Sequence, residues 1–262
     1  MTKLKALALA GTILAAPLFA NAASAASIIG LVDGKTLVWI NPATKKVTGE
    51  VAVKASGPLL GIDVRPADGM LYGIIADGTI VTIDAKTGQT TAKSKLSEPF
   101  KAGSEVTFDF NPAADRLRLM SADGTSLRIN VDDGKVTVDG SHKFKEGDAN
   151  AGKTPKVVAG AYSNSLNPKP AATALYNIDA TTGTLVTQAP PNDGVLNTIG
   201  SLGITATMPL AFNIVASPGD KNDAWLVTGG SLYSVDLKTG KATAAGKLEG
   251  VKGKLTDIAW VD

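Results

Sequence analysis

Apolar residues in this chain fall in short runs that alternate with polar ones, and glycine-bearing turns separate the runs. IIGLVDGKTLVWINPATKK occupies 28–46, and MLYGIIADGTIVTIDAKTG occupies 70–88. The phrase returns as RLRLMSADGTSLRINVDDG at 116–134 and AWLVTGGSLYSVDLKTG at 224–240, with a weaker copy, ATALYNIDATTGTLVTQA, at 172–189. Alternation with period two, rich in Val, Ile, Leu and Thr, predicts half-buried strands. No window carries an apolar period of 3.6 with caps, so few helices are predicted. Asp-Gly pairs at 33–34, 77–78 and 123–124 suit tight hairpins, because glycine supplies the positive φ.

The spacing between copies, roughly 40–50 residues, is that of a propeller, solenoid or array. Each full copy divides into four strands; the second reads LLGIDVRP, GMLYGIIA, TIVTIDA and TTAKSKL. Four-stranded units repeated radially are propeller blades. The first copy has only three strands from Ser27 onward, whereas LTDIAWV at 255–261 stands unassigned and resembles the innermost strand of a blade. The economical reading is an all-β propeller of five blades whose C-terminal strand completes the first, which removes two exposed sheet edges. Six blades is the alternative if 190–210 holds further strands. An open sandwich or a β-helix is the other possibility, though a β-helix needs a shorter coil period. Trp39, Trp225 and Trp260 fall inside strand patterns and are predicted to pack between blades.

Composition changes this picture at the N-terminus. Lys3 and Lys5 precede the apolar ALALAGTILAAPLFA at 6–20, and Ala20-Asn21-Ala22 and Ala23-Ser24-Ala25 are small-residue cleavage signals. Residues 1–25 therefore read as a cleaved signal peptide, and 27–262 as a single β-propeller-like domain. The expected location is periplasmic or secreted. The whole chain has 26 Lys+Arg against 24 Asp+Glu; without the leader the two signs balance at 24 each. That balance gives no case for nucleic acid, and no stable membrane insertion is expected after cleavage. With no cysteine, the domain must stand on its core alone.

Candidate chemistry concentrates in the third copy. Three of the four arginines are Arg116, Arg118 and Arg128. If Ala122-Asp123-Gly124 is a three-residue hairpin loop, Leu119 faces Leu127, Leu117 faces Ile129, Arg118 faces Arg128 and Arg116 faces Asn130. Two opposed arginines repel unless an anion sits between them. One reading is a bidentate site for a carboxylate, phosphate or sulfated ligand. The other is an internal network neutralised by Asp109, Asp115 or Asp148. Asp63, Asp109, Asn111, Asn164, Asn213 and Asp257 cluster near the predicted inner strands. Oxygen groups converging at a channel mouth could hold Ca²⁺, though such side chains ordinarily cap turns, and no cofactor is required by any motif. Glu-Gly-Asp-Ala-Asn-Ala-Gly at 146–152 lacks the acidic positions of an EF-hand.

Catalytic classes lose support in turn. There is no cysteine nucleophile, and His142, the only histidine, lies beside Lys143 and reads as solvated surface rather than a triad base. Zinc or copper sites built on several histidines are excluded. No nucleophile elbow, phosphate loop or dinucleotide fingerprint occurs in context.

FDFNPAADRLRLMSADGTSLRINVDDG, GDANAG, AYSNS, TALYNID and PPNDGVLNTIGSLG resemble the bacterial family called domain of unknown function 4394. The resemblance runs over about 28–260 and implies an exported, propeller-like domain with no activity established for the class. Its polar signature maps onto Asn111, Asp115, Arg116, Arg118, Arg128, Asn130, Asp148, Asn150, Tyr162 and Asn164, with Ser163 where family motifs often have Thr. The resulting expectation is a non-catalytic exported propeller that binds a small ligand or protein through these residues and Asp109. The alternatives are a metal-dependent hydrolase or lactonase-like propeller enzyme and a structural envelope protein.

Overall fold

The computed structural model describes residues 27–101, 103, 105–219 and 221–261; the expected signal peptide at 1–25 lies outside the described residues. Five small sheets, antiparallel except for one two-residue strand, are arranged as the blades of a propeller. Blade one is built from β1 (Ser27–Val32), β2 (Thr36–Asn41) and β3 (Lys46–Ala52). Blade two holds β4 (Leu59–Val64), β5 (Leu71–Ile75), β6 (Thr79–Ile83) and β7 (Thr90–Lys95). Blade three holds β8 (Val106–Asn111), β9 (Arg116–Ser121), β10 (Ser126–Ile129) and β11 (Val136–Val138). A two-residue strand, β12 (Lys143–Phe144), follows it. Blade four holds β13 (Val157–Tyr162), β14 (Leu175–Asp179), β15 (Thr184–Gln188) and β16 (Val195–Ser201). Blade five holds β17 (Ala211–Ser217), β18 (Lys221–Thr228), β19 (Ser231–Val235) and β20 (Ala242–Lys247). The last strand, β21 (Leu255–Val261), pairs with β1 with Ile29 opposite Ala259 and becomes the inner strand of blade one. The closure read from LTDIAWV is thus the one the chain adopts, and 190–210 contributes β16 and a single 3-10 turn at Pro191–Asp193 rather than a sixth blade.

The inner strands β21, β4, β8, β13 and β17 contact one another in that order and close the ring. Strand alternation sends successive side chains into opposite neighbours, so each blade interface has its own core. Ile29, Leu31, Leu59 and Ile62 pack between blades one and two. Tyr72, Phe108, Phe110, Leu117 and Leu119 pack between blades two and three. Met120, Phe144, Val157 and Tyr162 fill the next interface, and Val158, Ala161, Phe212 and Leu226 the one after. Ile28, Val38, Val227 and Ile258 seal the closing seam, where Trp225 stacks on Trp260 at 6.2 Å between ring centroids. No helix among the described residues is long and apolar enough to cross a membrane.

The recurrent Asp/Asn-x-x-Thr-Gly phrase has a mechanical role. Asp84 accepts hydrogen bonds from the Lys86 and Thr87 N–H groups, and Asp236 does the same for Lys238 and Thr239. These Asx turns hand the chain to a glycine in the left-handed region: φ is +75° at Gly134. Gly88, Gly134 and Gly240 lie flat on the outer strand of the preceding blade, whereas Gly183 of blade four does not. Gly134 O accepts a 2.9 Å bond from Ser97 N, and a Cβ at Gly134 would overlap Lys95 O. The turn therefore hooks one blade onto the last.

Blade four departs from the pattern. After β11 the chain crosses over and lays β12 parallel to β16, pairing Lys143 with Val195 and Phe144 with Leu196. Gly140 N donates to Asn192 O at 2.9 Å along the same strap. The strap corrects one expectation. His142 is not solvated surface: it is 8% exposed beneath the crossing, with Nε2 3.3 Å from Met120 Sδ. Burial, reinforced by the Arg118 charge, lowers its pKa to about 4, so it is neutral at ordinary pH.

Candidate functional site

The hairpin of β9 and β10 takes the register read from its sequence: Leu119 opposite Leu127, Leu117 opposite Ile129 and Arg118 opposite Arg128. Alternation therefore puts Arg116, Arg118 and Met120 on the face turned toward blade four, beside Arg128. The anion between the two opposed arginines is Asp139, just past β11, and not Asp109, Asp115 or Asp148. Arg118 Nη1 donates to Asp139 Oδ2, and Arg128 grips the same carboxylate through Nε at 2.8 Å and Nη2 at 3.0 Å. The remaining Arg118 donors go to Tyr162 Oη at 3.2 Å, Ser126 Oγ at 3.1 Å and Asn192 Oδ1 at 3.0 Å. Arg118 and Asp139 side chains are only 1% and 3% exposed. The guanidinium of Arg118 is thus enclosed and satisfied, as a buried charge must be.

Arg128 differs. Its side chain is 34% exposed, and Nη1 has no hydrogen-bond partner among the described residues. The hydrogen bonds to Asp139 raise its pKa further, so it is a permanent cation. It lines a shallow groove of about 220 Å³ with Arg116, Asn130, Lys135 and Thr137. Three cations and no carboxylate form that wall. The nearby acids are engaged elsewhere: Asp115 and Asp132 pair with Arg65 at 2.6 and 3.1 Å, and Lys93 also holds Asp132 at 3.0 Å. Hydrogen bonding to Arg65 holds both carboxyls below the usual aspartate range.

The second polar concentration lies on the propeller axis. Asp257 Oδ2 accepts from Ile62 N, Asp63 Oδ2 from Phe110 N and Asp109 Oδ1 from Tyr162 N, each at 2.8 Å. Three of the five inner strands, β21, β4 and β8, thus clasp the next with a carboxylate. Burial pushes the Asp63 carboxyl up to about 7 against the lowering pull of Phe110 N–H, Val64 N–H and the Asn213 side chain. Burial first, and then the charge on Asp63, raises Asp109 and Asp257 well above the ordinary value. Among the described residues no three acidic or histidine side chains are grouped so as to hold a metal ion.

The remaining sequence candidates do not join either centre. Asn111 caps its own turn by accepting from Ala113 and Ala114 N–H. Asp148 accepts from the Thr198 main chain and hydroxyl at 2.7 Å, and Asn150 bridges Thr198 and Lys153, so both brace blade four. Asn164 exchanges hydrogen bonds with Asn222 of blade five at 2.7 Å. Sequence reasoning missed Asp139, Asn192 and Arg65. A signal existed for Asp139: β11 pairs Thr137 with Arg128, which puts Asp139 at the diagonal position two residues on.

Comparison with curated proteins gives no match. Among solved structures, a protein of unknown function from Bacteroides thetaiotaomicron superposes with a TM-score of 0.55 at 13% identity, covering 88% of this chain and 63% of that one. A protein of unknown function from Bacteroides caccae gives 0.46 at 15% identity, covering 84% of this chain and 72% of the other. The first likeness shows the fold alone. The family model described as domain of unknown function 4394 matches residues 36–259, and the chain belongs to that family.

Proposed function

We propose that the protein is an exported, non-catalytic binding propeller, and that the cationic groove of blade three receives a carboxylate, phosphate or sulfate group of its ligand. One observation carries the reading: a single carboxylate, Asp139, serves both Arg118 and Arg128, which leaves an unpaired Arg128 Nη1 beside Arg116 and Lys135 in an open groove. Bidentate guanidinium donors with adjacent Asn130 and Thr137 suit a planar or tetrahedral oxyanion. Export rests on the charged, apolar and small-residue pattern of 1–25.

The test is titration of the mature protein with phosphate, sulfate and citrate at constant ionic strength, read by calorimetry and by melting temperature. Binding to the native state raises the melting temperature by mass action. The double variant Arg116→Gln/Lys135→Gln leaves the Asp139 network intact and is expected to abolish the rise. If no anion exceeds matched chloride, or if the double variant binds as well as the wild type, the groove is not the site.

A further inference from the structure

The clasps around the axis are incomplete, and an open cavity stands where they fail. Blades one, two and three supply Asp257, Asp63 and Asp109 to their neighbours, but blade four has Ala161 at the corresponding position. Blade five has Asn213 where blades one to three carry Asp, and its side chain goes to Asp63 instead of onward to blade one. Ile258 N is left to the Oδ1 of its own neighbour, Asp257, at 2.9 Å. Beside this gap a cavity of about 350 Å³ opens between the ends of β17, β21 and β4.

The lining of the cavity defines what fits. Asp63, Asn213 and Ser165 are its polar side chains; Pro66, Ile214 and Trp260 are among its apolar walls, and no lysine or arginine lines it. Trp260 is braced from behind by Trp225 and makes a rigid aromatic wall. The charged group facing Asp63 from β8 is Asp109, and from β21 it is Asp257; β17 presents Asn213 and β13 no ionised side chain. Asp63 is therefore a carboxyl with like-charged neighbours, an aromatic wall nearby and no cation of its own. We propose that this axial cavity binds a small ligand carrying an ammonium group on an apolar body, with the ammonium on Asp63 and the body against Trp260. A carboxylate supplies the charge-assisted bond and an aromatic wall favours a cation, so the two act together. The site lies on other blades than the arginine groove and stands or falls independently of it.

Benzylamine, benzyl alcohol and benzoate are the probes, titrated into the mature protein at pH 8 and pH 5.5, with tryptophan fluorescence and calorimetry as readouts. Benzylamine alone is expected to bind, and at least about tenfold more tightly at pH 8, because Asp63 must ionise to receive it. Asp63→Asn is expected to remove binding at both pH values. Ala216→Leu narrows the cavity from its wall without touching Asp63 and is expected to weaken binding, with folding verified by circular dichroism. The proposal is overturned if benzylamine does not bind at roughly 10 mM, if benzyl alcohol binds equally well, or if neither variant changes the affinity.

Discussion

Replacing Asp63 by Asn tests whether the axial carboxyls are a cost that the fold carries. Asp63 is 7% exposed among the inner strands, and its pKa rises from 3.8 to about 7, chiefly through burial. A carboxyl with a raised folded-state pKa holds its proton longer folded than unfolded. Stability is then greatest below pH 3.8 and falls as pH climbs toward about 7, beyond which the penalty is constant. The gap between the two values is worth about 4 kcal/mol at full ionisation. More than a third of it is already lost at pH 5, and most of the remainder goes between pH 5 and pH 8. In a domain of this size that remainder is about 8 °C of melting temperature. Asparagine keeps a carbonyl oxygen for Phe110 N–H and cannot ionise. Melting curves at pH 4, 5, 6, 7 and 8 should show wild type and Asp63→Asn nearly together at the acid end, with the variant more stable by several degrees at pH 8. The reasoning is refuted if the variant falls between pH 5 and 8 as steeply as wild type, or is destabilised equally at every pH.

Asp139→Asn is expected to destabilise by about 3–5 kcal/mol, because it strands the enclosed Arg118 charge; urea denaturation measures it, and a loss below about 1 kcal/mol would contradict the shared-carboxylate network. Gly134→Ala puts a Cβ against Lys95 O at a φ of +75° and is expected to cost more than about 2 kcal/mol, whereas the same change at Gly183, where nothing lies within 4 Å, should cost only the strain of its own left-handed turn, about 1 kcal/mol; equal losses would show that the hook adds nothing. Removing 255–262 takes away β21, exposes the inner edge of β1 and should give an aggregating or unfolded product by size-exclusion chromatography; a monomeric, cooperatively melting product would contradict the closure.

Much of the scaffold was written in local order. The alternation of Leu117, Leu119, Leu127 and Ile129 fixed the β9–β10 register, since a one-residue slip would have turned the arginines into the core facing blade two. The leftover LTDIAWV could complete only a blade that lacked an inner strand, so closure followed from counting. Trp225 and Trp260 were legible as interface residues because both interrupt strand patterns with a large apolar ring. By contrast, the partner of Arg118 and Arg128 depended on how β11 ends, where three short residues carry almost no pattern. The burial of His142 depended on the strap that lays β12 against β16, a parallel pairing between segments about fifty residues apart. The fourth arginine, Arg65 within DVRP, drew no reading from the sequence and became the hub of Asp68, Asp115 and Asp132 only when blades two and three met.

The sequence by itself determined the blade strands and their turns and favoured five blades over six, because hydrophobic alternation and glycine-bearing turns act over a few residues. Only the tertiary structure decided which charges meet. Closing the ring drew Asp63, Asp109 and Asp257 out of water and left Ala161 and Asn213 as its two breaks, since burial and partnership belong to neighbours far apart in the chain.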